Sequence, residues 1–269
     1  MTTGDVGQVF GTGATPGVIR LGAVTPSWLA TQLDEQGMVR LREALSPDWI
    51  DAMRRSVMQH VDRHPDGDVF LSHADAMCPP AHQLSADPAL LRLFGETAML
   101  GYPRAGSTSK VVCNIPVRNG FGPSMPSHRF HYDPSVLTMV VPLFIPRKTV
   151  GNCGELVAFG NRRPFRRLVA AHLVETALTQ NPVYRRRLVK KLSTAHDEYI
   201  VDLHPGDAYV FWGYRQLHGN LTCEPGLLRA TLVIAFGEVH PGSRTLKFAW
   251  RLSRSRRYIG RFRRSESQL

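Results

Sequence analysis

The sequence predicts a mainly β protein, a barrel or sandwich of short strands supported by helices. The first observation is that from Ser109 onward the chain breaks into short β-branched or aromatic runs bounded by Gly, Pro or Asn. The second is that segments with helical spacing precede these runs, and the third is that one more helical segment interrupts them. The predicted strands are residues 110–116, 131–146, 154–159, 199–203, 208–212 and 229–239.

The segments before the strands contain two predicted helices. Ser46 and Pro47 have the residue types of an N-cap and a first helical position, and the apolar residues that follow fall on one helical face. Asp87 and Pro88 give the same signal for a second helix. In chain order we expect an N-terminal arm (1–30) that is loose or adds an edge strand, a short strand from residue 37, a helix over 47–62, a loop over 63–86 and a helix from 88 to about 100.

All 269 residues are expected to form a single domain, because 43% of them are hydrophobic and can supply one large core. A helical insert is predicted over about 162–193, since 166–180 has helical spacing and Asn181-Pro182 caps a further helix. This insert is either a lid or surface-binding element, or a buttressing pair of helices. A basic C-terminal tail occupies about 244–269.

Composition excludes several classes of protein. The N-terminus has neither a basic nor an apolar region of a secretory signal, and the longest apolar run, 136–145, is about half the length of a membrane span. The four cysteines are far apart and form no CxxC pair, which argues against a zinc finger or a disulfide scaffold. We therefore expect a cytoplasmic protein without a transmembrane segment.

Positive charge is concentrated in two segments of a chain whose net charge is +11. Residues 162–191 hold nine Lys or Arg and one acidic residue, Glu175, and residues 251–264 hold seven arginines and no acid. Such patches either attract an anionic partner or are solvated surface. No nucleic-acid-binding motif is present, so no specific nucleic acid is expected, and the predicted partner is a small molecule that is anionic or membrane-associated.

The candidate metal ligands are His131, Asp133 and His218. In a strand, residues two apart point to the same face, so His131 and Asp133 are expected to converge, and His218 follows 87 residues later. Two imidazoles and one carboxylate form the facial triad of non-haem Fe(II) oxygenases. A second HxD, at His73 and Asp75, is rejected because no strand follows it.

Arg229 is the candidate anion clamp, because it opens an otherwise apolar strand where an unpaired arginine would be costly. A guanidinium can hold a carboxylate through two charge-assisted hydrogen bonds. Thr231 shares the predicted face and can add a hydroxyl. The alternative is that Arg229 is one more surface arginine.

From about residue 33 to residue 239 the chain resembles the phytanoyl-CoA dioxygenase-like (PhyH-like) family of Fe(II)/2-oxoglutarate-dependent oxygenases. The segments that carry the resemblance are Leu33-Asp-Glu-Gln-Gly-Met-Val-Arg-Leu, His131-Tyr-Asp133, Gly154-Glu-Leu-Val-Ala-Phe-Gly160, Gly206-Asp207, His218-Gly-Asn220 and Arg229-x-Thr231.

The resemblance implies a double-stranded β-helix (jelly-roll, cupin-like) core, and Fe(II), 2-oxoglutarate and O2 as cofactor and co-substrates. It assigns His131, Asp133 and His218 as iron ligands and catalytic residues. It assigns Arg229, helped by Thr231, to the distal carboxylate of 2-oxoglutarate, and it suggests Asn114 as a further 2-oxoglutarate contact. Asp133 stands where halogenating relatives have a small residue, which favours hydroxylation of an aliphatic C–H bond.

Where relatives usually read Pro-Gly-Ser-His, the chain reads Phe159-Gly-Asn-Arg-Arg163, so the substrate cannot be copied from them. The candidates are a small natural product, a lipid or carrier-linked thioester, or a phosphorylated sugar. Desaturation or cyclisation in natural-product biosynthesis is an alternative to hydroxylation. The sequence is also compatible with a non-catalytic binding protein, a cupin-like metalloenzyme without 2-oxoglutarate, and an oxygenase that acts on nucleic acid.

Overall fold

Two β-sheets form the centre of the protein. The computed structural model describes residues 4–5, 18–63, 68–104, 110–118, 129–147, 152–166, 168–241 and 243. A seven-stranded sheet has the order β1-β2-β8-β5-β10-β4-β3, and a three-stranded sheet has the order β7-β6-β9. The strands are β1 Gly4–Asp5, β2 Met38–Leu41, β3 Val69–Ser72, β4 Val111–Arg118, β5 Ser135–Phe144, β6 Leu156–Asn161, β7 Ile200–Val201, β8 Ala208–Trp212, β9 Gln216–Asn220 and β10 Arg229–Glu238.

Helices precede the strands and also interrupt them once, as predicted. Their bounds are α1 Pro26–Gln36, α2 Pro47–Arg63, α3 Pro79–Ser85, α4 Pro88–Gly101, α5 Val169–Gln180, α6 Pro182–Thr194 and α7 His196–Tyr199. None of these helices combines the length and the apolar composition needed to cross a bilayer.

Three hydrophobic layers hold the sheets and helices together. The largest lies between α1–α4 and one face of the seven-stranded sheet, to which β10 contributes Ala230, Leu232, Ile234 and Phe236. A second layer lies between the two sheets and includes Val140, Leu156 and Phe211. A third covers the other face of the three-stranded sheet, where Leu188 and Leu192 of α6 pack on it. Residues of the large sheet that alternate with the helix-facing ones therefore point between the sheets.

Several elements differ from the sequence-based expectation. A helix begins at Pro26, within the segment expected as an arm, because the side chain of Thr25 caps it by accepting from the backbone N–H of Trp28. The segment expected as a loop over 63–86 contains β3 and α3. β9, which carries His218, was not predicted, because Gln216–Asn220 contains no β-branched residue. The basic tail at 244–269 lies outside the described residues.

Candidate metal centre

The three predicted ligands lie together. His131 Nε2 is 3.5 Å from Asp133 Oδ1, and His218 Nε2 is 3.6 Å from Asp133 Oδ2. One ligand atom from each residue lies within 4.8 Å of the other two. Within the described ranges, this is the group of His, Cys, Asp or Glu side chains with the spacing to hold a metal ion.

Backbone pairing brings the two histidines to the same point. His131 and His218 form an isolated antiparallel bridge, in which each backbone N–H donates to the carbonyl of the other, at 2.8 and 3.1 Å. The N–H of Asp133 donates to the carbonyl of Gly213 at 2.9 Å. The expectation that His131 opens the long strand is wrong, since β5 begins at Ser135. His131 and Asp133 converge because this bridge and this turn contact fix them, not because they alternate along β5.

Both imidazoles present the same nitrogen to the site. The Nδ1–H of His131 donates to the carbonyl of Arg129 at 3.0 Å, and the Nδ1–H of His218 donates to the carbonyl of Gln216 at 3.1 Å. A carbonyl can only accept, so Nδ1 carries a proton in both rings and Nε2 is the nitrogen that faces the site. Hydrogen bonds of this kind orient metal-bound histidines.

A hydroxyl network orients the carboxylate. The hydroxyl of Thr138 donates to Asp133 Oδ2 at 2.7 Å and also contacts the hydroxyl of Ser135 at 2.9 Å. Gly213 closes over this network: a Cβ at that position would lie 2.5 Å from each of the two hydroxyl oxygens. A glycine is therefore required there for the hydroxyls to keep these positions.

Mutual electrostatics set the protonation of the ligands. Burial alone would raise the pKa of Asp133, but His218 and His131 outweigh it and hold that pKa well below its usual range. Burial lowers the pKa of His218 to about 4, although Asp133 opposes the shift. The site therefore presents an ionised carboxylate and at least one neutral imidazole near neutral pH.

This donor set fits a divalent metal ion. Two imidazole nitrogens and one carboxylate on one side of the ion leave its other positions open, which is the arrangement of the non-haem Fe(II) triad. The side chain of each of the three residues is also oriented by a hydrogen bond to a residue two to five positions away, as is usual at metal sites.

Arg229 is buried beside a second arginine. It is 2% exposed, and its backbone pairs with that of Arg118, which is 6% exposed. Burial and the charge of Arg118 lower the pKa of Arg229 to about 10, and Glu155 offsets this only in part. Gly154 leaves room for the side chain of Arg229, because a Cβ at position 154 would lie 2.7 Å from Arg229 Cδ. Two adjacent cations in a buried position favour the binding of an anion.

Strand β9 connects this arginine pair to the metal ligands. Arg229 Nη2 donates to Asn220 Oδ1 at 3.0 Å. Asn220 and the ligand His218 are two residues apart in β9 and so lie on the same face of the strand. The guanidinium of Arg229 is thereby anchored about two strand residues, roughly 7 Å along the backbone, from a metal ligand.

Thr231 and Asn114, the other two predicted site residues, face the space between the two sheets, as Arg229 does. Ala230 and Leu232 belong to the helix-side core, so Arg229 and Thr231 both point between the sheets. Asn114 of β4 lies on that face as well, because its neighbours Cys113 and Ile115 are in the helix-side core.

Sequence reasoning missed Arg118 and Thr138, and it gave no role to Asn220, although Asn220 belongs to a segment that carries the family resemblance. Arg118 is four residues after Asn114 on the same strand face, which is the signal that could have found it. Thr138 carries no motif and is identified only by its hydrogen bond to Asp133.

The aromatic residues near the ligands divide between the two sides of the large sheet. The ring of Phe211 lies 4.8 Å from that of His218, so this side chain borders the metal centre. Trp212 points the other way, into the helix-side core, and its Nε1 donates to Asp34. Tyr132, which lies between His131 and Asp133 in sequence, packs against Arg163.

Two solved structures of similar fold are described as non-haem, alpha-ketoglutarate-dependent enzymes. The chain is similar to SnoK, an alpha-ketoglutarate-dependent carbocyclase from nogalamycin biosynthesis, with a TM-score of 0.52 and 16% identity over 81% of this chain and 87% of that one. For SnoN, an epimerase of the same biosynthesis, the TM-score is 0.52 and the identity is 15%, over 82% of this chain and 88% of that one. A prolyl-4-hydroxylase from Pseudomonas putida has a TM-score of 0.49 and 14% identity, over 80% of this chain and 99% of that one.

At these identities the comparison establishes the fold, and it confirms the predicted mainly β jelly-roll core with supporting helices. No protein-family model matches the sequence, and no curated protein does. Membership of the PhyH-like branch in particular stays a prediction.

Proposed function

We propose that this protein is an Fe(II)- and 2-oxoglutarate-dependent dioxygenase of the PhyH-like kind. The observation that carries the proposal is the link through β9, which joins a His–Asp–His group to a buried pair of arginines. A metal triad alone would fit other metalloenzymes. The added anion site at this position fits a co-substrate that has a metal-chelating end and a second carboxylate.

The ligand residues would hold Fe(II) through His131 Nε2, His218 Nε2 and the carboxylate of Asp133. Bound Fe(II) supplies the redox chemistry by which O2 and 2-oxoglutarate oxidise a substrate C–H bond, with succinate and CO2 as co-products. Thr138 keeps the Asp133 carboxylate oriented, and the carbonyls of Arg129 and Gln216 keep both Nε2 lone pairs directed into the site.

Arg229 would bind the distal carboxylate of 2-oxoglutarate. Its pKa of about 10 keeps it charged at neutral pH, and the adjacent Arg118 adds a second positive charge. An anion that enters relieves the repulsion between these two cations, so both charges favour its binding. Thr231 and Asn114, which face the same space, are the proposed additional polar contacts.

The proposed reaction is hydroxylation of an aliphatic C–H bond of a small-molecule, lipid-linked or phosphorylated substrate. Asp133 completes the ligand set, which supports oxygenation over halogenation. Cyclisation or desaturation is the second candidate, and the description of one solved structure of similar fold as a carbocyclase favours cyclisation. Phe211 beside His218 would shield one side of the site from water.

The decisive experiment separates metal binding from co-substrate binding. Under anaerobic conditions, we expect the wild-type protein to bind Fe(II), and the complex to bind 2-oxoglutarate with a visible charge-transfer absorption. His131→Ala should abolish Fe(II) binding. Arg229→Gln should retain Fe(II) and bind 2-oxoglutarate at least about tenfold more weakly, since a hydrogen-bonded charge pair is lost.

The second HxD of the chain supplies a matched control. His73→Ala removes an imidazole from the same motif outside the centre and should leave both affinities unchanged. Succinate release in air, measured against a metabolite library, then identifies the substrate, and the mass of the product separates hydroxylation from desaturation or cyclisation. Equal 2-oxoglutarate affinity in Arg229→Gln and wild type would refute the clamp.

A further inference from the structure

The exposed apolar side chains are concentrated in the helical insert. Among the described residues, six of the ten large hydrophobic side chains that are exposed lie between positions 168 and 189. Single exposed apolar side chains are normal on any protein surface, but a cluster of them indicates a binding surface. The six are Leu168, Leu173, Val174, Leu178, Val183 and Val189.

Helix α5 turns its apolar stripe outward. Among the α5 side chains that the structure describes, the exposed ones are at positions 170, 173, 174, 177 and 178, the spacing of one helical face, and all five are Ala, Val or Leu. Val174 is 60% exposed and Leu178 is 58% exposed. The opposite face carries His172 and Thr179, which are buried. A surface helix usually buries its apolar stripe and exposes its polar one, so α5 has the reverse of the usual arrangement.

Helix α6 places cations next to this stripe. Leu188 and Leu192 pack on the three-stranded sheet, so the outward positions are Val183, Arg186, Arg187 and Lys190. Only Asn181 separates α5 from α6, and Leu178 and Val183 on its two sides are both more than half exposed. The one acidic residue of 162–191, Glu175, is already paired with Arg163 and Arg166.

We propose that the α5–α6 face binds the surface of a bilayer that contains anionic lipid. Aliphatic side chains on one helix would enter the boundary between headgroups and acyl chains, while cations on the next helix would bind lipid phosphates. This proposal concerns how the protein reaches a partner and does not depend on the chemistry at the metal centre.

The composition of the face favours a bilayer over a protein partner. Protein interfaces are enriched in Tyr, Trp, Phe and Met, whereas the exposed α5 side chains that the structure describes are Ala, Val and Leu. Clusters of four to eight cations beside an apolar helix are a pattern of binding to acidic lipids, and α6 as a whole carries five, the three outward ones with Arg185 and Lys191.

Vesicle binding of the full chain tests the proposal. Vesicles of phosphatidylcholine alone and of phosphatidylcholine with phosphatidylglycerol are sedimented with the protein, without added Fe(II) or 2-oxoglutarate. We expect binding to the mixed vesicles only, with an affinity that falls as salt is raised. No binding to the mixed vesicles would overturn the proposal.

Two variants locate the binding face. Val174→Ser with Leu178→Ser removes exposed apolar area, and Arg186→Gln with Arg187→Gln and Lys190→Gln removes three charges. Each should lower the vesicle partition coefficient by more than about tenfold. Both sets are exposed, so the fold should be unaffected.

Matched controls remove the same chemistry elsewhere. Met99→Ser with Leu100→Ser removes two exposed apolar side chains of α4, and Arg55→Gln, Arg63→Gln and Arg92→Gln remove three exposed cations. Both controls should bind vesicles like wild type. If the insert variants bind as well as wild type, the basic tail or general charge is responsible and the proposal is wrong. If Val174→Ser with Leu178→Ser instead converts a dimer to a monomer in light scattering, a second copy covers the stripe.

Discussion

The guanidinium of Arg163 lies between the rings of Tyr132 and Tyr214, with its central carbon 4.0 and 3.7 Å from their centroids. Its Nε also donates to the carbonyl of Tyr214 at 2.6 Å, and its Nη1 pairs with Glu175 of α5 at 3.1 Å. Tyr132 stands between two metal ligands in sequence. One buried side chain thus connects the helical insert to the segment that carries His131 and Asp133.

Replacing Arg163 by Lys should loosen both the helical insert and the segment that carries His131 and Asp133. A lysine keeps the charge but cannot make the forked set of hydrogen bonds or stack in plane between two rings. We expect the free energy of unfolding to fall by about 2–4 kcal/mol, because a buried charge loses partners. Fe(II) affinity should also fall severalfold, since Tyr132 is less firmly held.

Chemical denaturation and anaerobic metal titration measure the two effects. The neighbouring Arg162 is exposed, so Arg162→Lys is the matched control and should leave both quantities within error of wild type. If Arg163→Lys changed stability but not metal affinity, the link to the ligand segment would be absent.

Most of the fold followed from the sequence because strand and helix signals are local. The runs at 208–212 and 229–239 match β8 and β10 almost residue for residue, and Ser46-Pro47 places the start of α2. β9 was missed because its strand character comes from pairing with β6, not from its own residues. α1 was missed because its start depends on a single threonine cap in a segment rich in loop-forming residues.

The grouping of the three candidate ligands was predictable from the sequence, but the residues that position them were not. His131, Asp133 and His218 have a spacing and a chemistry that point to one site. Thr138 and Asn220 act through side-chain hydrogen bonds to residues five and nine positions away, and no sequence motif marks these pairs. The reason for the convergence of His131 and Asp133 was also predicted wrongly, because it depends on the bridge to His218.

Thr138→Val should weaken metal binding without unfolding the protein. The change replaces the hydroxyl that donates to Asp133 by a methyl group of similar volume. The carboxylate then has one less hydrogen bond to orient it, and we expect Fe(II) affinity to fall about 10–100-fold. Thr138→Ser keeps the hydroxyl and should recover most of the loss in the same titration. Equal affinity in Thr138→Val and wild type would show that the hydroxyl has no part in positioning the ligand.

Arg118→Met should weaken 2-oxoglutarate binding while Fe(II) affinity is unchanged. Methionine keeps an unbranched apolar side chain and removes the charge that lies beside Arg229. If both cations attract the distal carboxylate, the loss should be about tenfold, the effect of one charged hydrogen bond. Calorimetry on the Fe(II)-loaded protein measures it, with the exposed Arg92→Met as control. An unchanged affinity would mean that Arg229 alone binds the anion.

His172 should make the protein less stable in mild acid. The imidazole is buried against Tyr214, and Arg163 Nη2 donates to its Nδ1 at 3.2 Å. Burial, together with the charges of Arg163 and His240, lowers its pKa to about 4, while Glu175 opposes the shift. A free histidine has a pKa of about 6.5, so between these values the unfolded chain binds the proton that the folded protein excludes.

The stability contributed by neutral His172 is therefore complete above about pH 6.5 and is lost as the pH falls towards 4. Between pH 7.5 and pH 4, we expect the free energy of unfolding to fall by about 3 kcal/mol more in wild type than in His172→Gln. Glutamine can still accept a hydrogen bond from Arg163 but does not titrate. Urea denaturation at the two pH values measures this difference. As a control, His82→Gln at an exposed histidine should have the same stability as wild type at both pH values. Parallel losses in wild type and His172→Gln would mean that Arg163 does not hold this imidazole neutral, and that the acid sensitivity of the protein arises at other groups.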